Sequence, residues 1–199
     1  MTRRAVLEAL LVLAWIGAVA AGLARVEIHA QTPGPAGAAP ARWPEASRFA
    51  IEPCRPRLLV FAHPQCPCTR ASLNELARLL ARAGDASRVA TTVAFFRPDD
   101  APADWLATDT VADAGAIPGV TVATDERGVE AARFGAKTSG HAVLYSADGR
   151  LLYAGGLTPA RGHEGDSFGS EALAALLVSG SSSPSPATAP VFGCEIFGR

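Results

Sequence analysis

The sequence predicts an α/β domain, a mixed sheet flanked by helices, carried behind one N-terminal apolar helix. Three observations predict it. Short β-branched or apolar runs alternate with segments of helical period, an Asp-Gly turn joins two late strands, and one long uncharged stretch precedes them all.

Met1-Thr2-Arg3-Arg4 is positively charged, and no charged residue follows from Ala9 to Ala24. Two readings of this stretch stand. It is a single-pass transmembrane helix, or it is a signal peptide with Ala18-Val19-Ala20 as its cleavage site. Both send the remaining chain outward, because Arg3 and Arg4 stay in the cytoplasm. The anchor is favoured, since apolar character continues through Leu23. The expected location is therefore the cytoplasmic membrane, with the domain facing the periplasm or cell exterior. Secretion after cleavage is the alternative.

Residues 1–27 form this anchor or signal, and 28–46 form a flexible linker containing TPGPAGAAPARWP. The folded domain is expected over 47–178. RLLVFA (57–62) reads as a buried strand. Residues 69–83 read as a helix, with Leu73, Leu76, Ala77 and Leu80 on one face and Gly84 as its stop. RVATTVAFF (88–96) is β-branched and strand-like. Residues 103–116 give a weaker helix, 120–123 a short strand, and 126–134 a short helix ended by Gly135. HAVLYSADGRLLYAGG is a hairpin around Asp148-Gly149. Residues 170–178 form a last helix with Ser170 as cap. SGSSSPSPATAP then opens a flexible tail over 179–199, which carries Cys194.

A net charge of -1 gives no reason to expect a nucleic-acid partner. No glycine motif for a dinucleotide is evident, so no cofactor is expected. An exported chain sits where disulfides persist, and its four cysteines allow three complete pairings. Cys66 and Cys68 follow the first strand in FAHPQCPCTRAS, at the start of a helix. A thiol placed there faces free N–H groups and the positive end of the helix dipole, which favours the thiolate. Pro67 suits the first helical position. A Cys66–Cys68 disulfide would be strained, so Cys66 has two candidate partners for resolving an intermediate, Cys68 and Cys194. Cys54 is expected to be structural or idle, with a Cys54–Cys194 staple as one arrangement.

The order β-α-β-α-β-α-β-β-α and the cysteine after the first strand resemble the thioredoxin-like superfamily. The resemblance covers about Leu58 to Leu177 and points to membrane-anchored, extracytoplasmic thiol-disulfide and peroxiredoxin-like proteins. FAHPQCPCTRAS, RFGAKTSGHAVLY, GLTPARGHEGD and PVFGC are also similar to a bacterial set called RedB-like. The resemblance implies that Cys66 is the nucleophile. It also places Thr69 where the family has its second cysteine, and Gly140 where the family has a proline. His141 follows that position and is expected to face the cysteines. The loop 157–166 is expected on the same edge, bringing Arg161 and His163 to the thiolate. The resulting expectation is a thiol-disulfide oxidoreductase, with peroxidase activity as a variant. Cys66, Cys68, Cys194, Thr69, His141, Arg161 and His163 form its site, and a protein disulfide or redox protein is its partner. The alternative is a copper-binding assembly factor using Cys66, Cys68 and His141, since soft thiolates and imidazole suit copper. His63 is expected to be a packed residue.

Overall fold

The computed structural model describes residues 2–35, 37–84, 88–179 and 185–197. Helix α1 spans Arg3–Gln31, is capped by Thr2, and is exposed almost throughout. It is long and apolar enough to cross a membrane. The domain follows as β1 (Arg57–Ala62), α2 (Cys68–Arg82), β2 (Ala90–Arg97), α3 (Asp109–Ala116), β3 (Val120–Glu126) and α4 (Val129–Arg133). Then come β4 (His141–Tyr145), β5 (Leu151–Gly155), α5 (Phe168–Ser179) and a short β6 (Ala187–Thr188).

The six strands form one sheet in the order β3-β2-β1-β4-β5-β6. β1, β2 and β3 run parallel, β4 is antiparallel to β1, and β5 returns antiparallel to β4. Alternation along each strand fills two cores, one on each face. Leu58, Val60, Val93, Phe95 and Leu144 meet Leu73, Leu76 and Leu79 of α2 and Leu173 of α5. Leu59, Phe61, Val143 and Tyr145 meet Phe134, Phe49 and Trp43 on the other face. β1 is buried along nearly its whole length because helices and loops cover both sides, so its sequence is continuously apolar.

Several boundaries differ from the sequence reading. The segment 103–108 forms turns rather than helix. Trp105 donates its ring N–H to the Phe96 carbonyl at 2.8 Å, and Thr108 caps α3. β3 continues to Glu126 because the buried Asp125 carboxylate accepts the Glu130 and Ala131 N–H groups and so starts α4 late. Ser167, not Ser170, caps α5, with its hydroxyl accepting the Ser170 N–H at 3.0 Å. Residues 33–35 and 37–43, expected as part of a free spacer, lie along the sheet. Prolines offer no N–H to a ladder, but their carbonyls serve as acceptors. Pro35 O takes the Thr138 hydroxyl at 3.1 Å, and Pro40 O takes the Tyr145 hydroxyl at 2.7 Å. The described part of the tail is also docked, with β6 adding to β5.

Gly140 precedes β4 with a φ of 89°. A Cβ there would lie 2.6 Å from the Ser72 hydroxyl of α2. Only glycine fits this backbone and this approach together. Gly140→Ala is expected to lower stability by about 2 kcal/mol, read as an earlier urea midpoint at unchanged slope.

Candidate thiol site

β1 ends at Ala62, and residues 63–67 turn the chain into α2. The Cys66 N–H donates to His63 O at 3.2 Å, and the Thr69 N–H donates to Cys66 O at 3.0 Å. Pro67 already has helical backbone angles, so Cys66 sits just ahead of the first turn and is buried, while Cys68 opens the helix and is half-buried. The third sulfur arrives from the tail. The Ser139 N–H donates to Cys194 O at 2.8 Å, and the Ile196 N–H donates to Lys137 O at 2.9 Å. Thr138 and Glu195 are thereby paired as an antiparallel bridge. The sulfurs of Cys66, Cys68 and Cys194 all lie within 4.8 Å of one another.

The three thiols are not equivalent. Burial pushes Cys66 up, but hydrogen bonds to its sulfur outweigh it and leave its pKa below the ordinary value. The donors are the Cys194 thiol, the N–H groups of Cys194 and Cys68, and the Thr69 hydroxyl. Burial and the neighbouring Cys66 charge push Cys68 up. Burial, and the hydrogen bond it gives to Cys66, push Cys194 up to about 12. Of the three, Cys66 is thus the thiol that ionises most readily, while Cys68 and Cys194 hold their protons more tightly.

Thr69 lies at this site. Its hydroxyl is 3.1 Å from His63 O and 2.9 Å from the Ser139 hydroxyl, which itself accepts the His63 N–H at 2.9 Å. Ser139 therefore supports both Thr69 and the tail, a role the sequence reading missed. Its only signal was its place just before Gly140, where the thioredoxin-like resemblance expects a proline. Arg161 acts on the tail rather than on Cys66. Its guanidinium donates to the carbonyls of Gly193 and Thr32, and its charge favours ionisation of Cys68 and Cys194. Its own N–H donates to Ala30 O at 3.0 Å.

The two histidines expected at the thiols lie outside the sulfur group. His163 is exposed and bonded through Nδ1 to Arg161 O. The neighbouring Glu164 and Gly165 are tied to α2, through Asn74, Arg78 and buried Glu75. His141 is opposite Phe61 in the β1–β4 register and shares the face of Val143 and Tyr145. Among the described residues, the group able to share a metal is Cys66, Cys68 and Cys194, so Cys194 takes the place expected for His141. Cys54 is exposed on a left-handed turn outside that group. His63 is packed between the rings of Phe96 and Trp105.

His141 has a structural consequence of its own. It is buried, its Nε2 has no hydrogen-bond partner among the described residues, and burial lowers its pKa from 6.5 to about 4. The unfolded chain binds the proton first as pH falls, so this contribution is intact above 6.5 and is lost between 6.5 and about 4. Urea titrations at pH 7 and pH 4.5 are expected to differ by about 2 to 3 kcal/mol more in the native chain than in His141→Gln.

No family model matches the chain, and no curated protein matches it. Solved structures do. A hypothetical protein from Sinorhizobium meliloti aligns over 84% of this chain and 95% of its own, with 20% identity and a TM-score of 0.58. An uncharacterized conserved protein from Geobacillus kaustophilus aligns over 85% and 93%, with 19% identity and a TM-score of 0.58. A secreted disulfide oxidoreductase from Mycobacterium tuberculosis aligns over 64% and 83%, with 19% identity and a TM-score of 0.43. The fold is thioredoxin-like, and at its first βα junction Cys66 and Cys68 meet Cys194 of the tail.

Proposed function

We propose that the chain is an extracytoplasmic thiol-disulfide oxidoreductase anchored by α1, with Cys66 as nucleophile and Cys194 as resolving cysteine. The observation that carries this reading is the sulfur cluster itself, in which the sulfurs of Cys66, Cys68 and Cys194 lie within 4.8 Å of one another and Cys66 is the one whose surroundings favour its charged form. A thiolate is the attacking species in exchange, and this setting favours it.

The Cys66 thiolate attacks one sulfur of a protein disulfide. A Cys66–substrate bond forms, the substrate S–S bond breaks, and the leaving thiolate departs with the electron pair and takes a proton from water. Cys194 gives up its proton and attacks the Cys66 sulfur. The Cys66–Cys194 bond forms, and the second substrate thiolate leaves and is protonated. Two electrons pass to the substrate, and a partner dithiol protein restores the pair. The same steps reversed oxidise a dithiol. Cys68 is the less suited resolver, because it opens the helix and a bond to Cys66 spans only one intervening residue.

The test is a peptide map of the full chain after mild oxidation with diamide and thiol trapping. A Cys66–Cys194 peptide that dithiothreitol removes supports the assignment. A Cys66–Cys68 bond would move the resolving role to Cys68, and three free thiols would defeat the exchange reading.

One observation favours a second reading. Three sulfurs within 4.8 Å suit a soft monovalent metal, so Cys66, Cys68 and Cys194 would hold copper(I) for an assembly role. Titration of the reduced chain with copper(I) against a chromogenic chelator separates the two readings. Retention of one equivalent, lost in Cys68→Ser, supports the metal.

A further inference from the structure

The tail reaches Cys66 in a manner open to another polypeptide. Its fixed contacts are made by backbone. Ser139 N–H holds Cys194 O, Lys137 O holds Ile196 N–H, and the Arg161 guanidinium holds Gly193 O. None of these uses a tail side chain, and position 193 lies so close to Ser139 O that only glycine fits there. This is strand addition to a short extended segment, 137–139, beside the nucleophile.

Side chains supply the selection. Ile196 is 1% exposed and fills the second core beside Phe61, Phe96 and Phe134. Glu195 is exposed. Phe197 is 45% exposed and sets its ring edge-on to Phe96 at 6.0 Å. It forms one wall of a cleft of about 620 Å³ that also touches Gln65, Trp105, Asp99 and Arg127. Gln65, the residue before the nucleophile in the chain, is part of its lining.

Building on the thiol-exchange reading, we propose that residues 193–197 are a built-in substrate. They occupy the strand position in which an extended, cysteine-bearing polypeptide docks for exchange at Cys66. The polypeptides accepted carry a glycine just before the cysteine, a branched aliphatic residue two places after it and an aromatic residue three places after it. The aliphatic residue enters the Ile196 site and the aromatic residue the Phe96–Trp105 cleft. The resident tail competes with them, then returns Cys194 to the Cys66 sulfur to release the product thiol. The chemistry is the exchange described above, with the incoming cysteine held as a mixed disulfide and its leaving thiol carrying away the electron pair.

The test uses the full chain in detergent with Cys54→Ser, Cys68→Ser and Cys194→Ser, which leaves Cys66 as the reacting thiol. Two peptides are offered as mixed disulfides of thionitrobenzoate, PVFGCEIF and PVFGCESS, and coloured thiolate release is followed. Burial of the two apolar side chains is expected to make the first peptide react about tenfold faster or more at low concentration. The contrast is expected to widen when the chain also carries Gly193→Ala, which unseats the resident tail. Equal rates for both peptides in both proteins would overturn the built-in substrate, provided the free thionitrobenzoate dimer reacts normally with Cys66. If that small reagent also fails to react, the thiol-exchange reading itself falls.

Discussion

Cys66→Ser is expected to lower disulfide exchange by about three orders of magnitude or more, with the fold intact. Serine keeps the size of the side chain but replaces a thiol that ionises readily with a hydroxyl that stays neutral. The donors around Cys66 then have no anion to hold, and neither of the other thiols can substitute. Cys68 is pushed up by burial and Cys194 is pushed up to about 12, so both are protonated at neutral pH. The check is reduction of a fluorescent disulfide substrate by the full chain, with circular dichroism to show that the domain is folded. Activity retained in Cys66→Ser but lost in Cys68→Ser would reassign the nucleophile.

The second large effect is expected from a residue that has no reactive group. A Cβ at Gly193 would lie 2.1 Å from the Ser139 carbonyl oxygen, a backbone atom that cannot rotate away. Gly193→Ala is therefore expected to lift the segment that carries Cys194 while leaving the domain folded. Cys66 loses two of its donors, the Cys194 thiol and N–H. Its pKa rises, so the pH profile of iodoacetamide alkylation shifts to higher pH. Closure of the Cys66–Cys194 disulfide slows by about tenfold or more, because the two sulfurs are no longer held together. An unchanged alkylation profile would mean that the helix start alone sets the reactivity of Cys66.

The helix start was legible in the sequence, and the rest of that chemistry was not. RLLVFA followed by a cysteine and a period of 3.6 residues placed Cys66 at the first βα junction, because strand burial and helix amphipathicity are local signals. The hairpin was equally local, with Asp148-Gly149 between two apolar runs. Cys194 was visible as an apolar cysteine segment beyond a flexible stretch, yet its partner was open among three other thiols. Its docking depends on Ser139, Lys137 and Arg161, which lie 33 to 57 residues earlier and make mostly backbone contacts. Backbone hydrogen bonds leave no mark on composition. His141 and His163 were placed at the thiols by position in a family pattern, which carries no statement about the direction of a side chain. Strand register decides that direction for His141, and a loop bond to Arg161 O decides it for His163.

Arg161 also joins parts of the molecule that a sequence reading would treat separately. Its N–H holds the carbonyl of Ala30 near the end of α1, and its guanidinium holds Thr32 and Gly193. If α1 spans a bilayer as proposed, the domain is not a weight on a loose string. The Arg161 contacts would then hold the thiols close to the membrane surface, and they would travel with the helix as it diffuses laterally. Encounter with a partner embedded in the same membrane becomes a search in two dimensions, whereas a partner free in solution must find the site at one depth. Cutting the Arg161 contacts would lengthen that leash and widen the range of heights from which a partner is met.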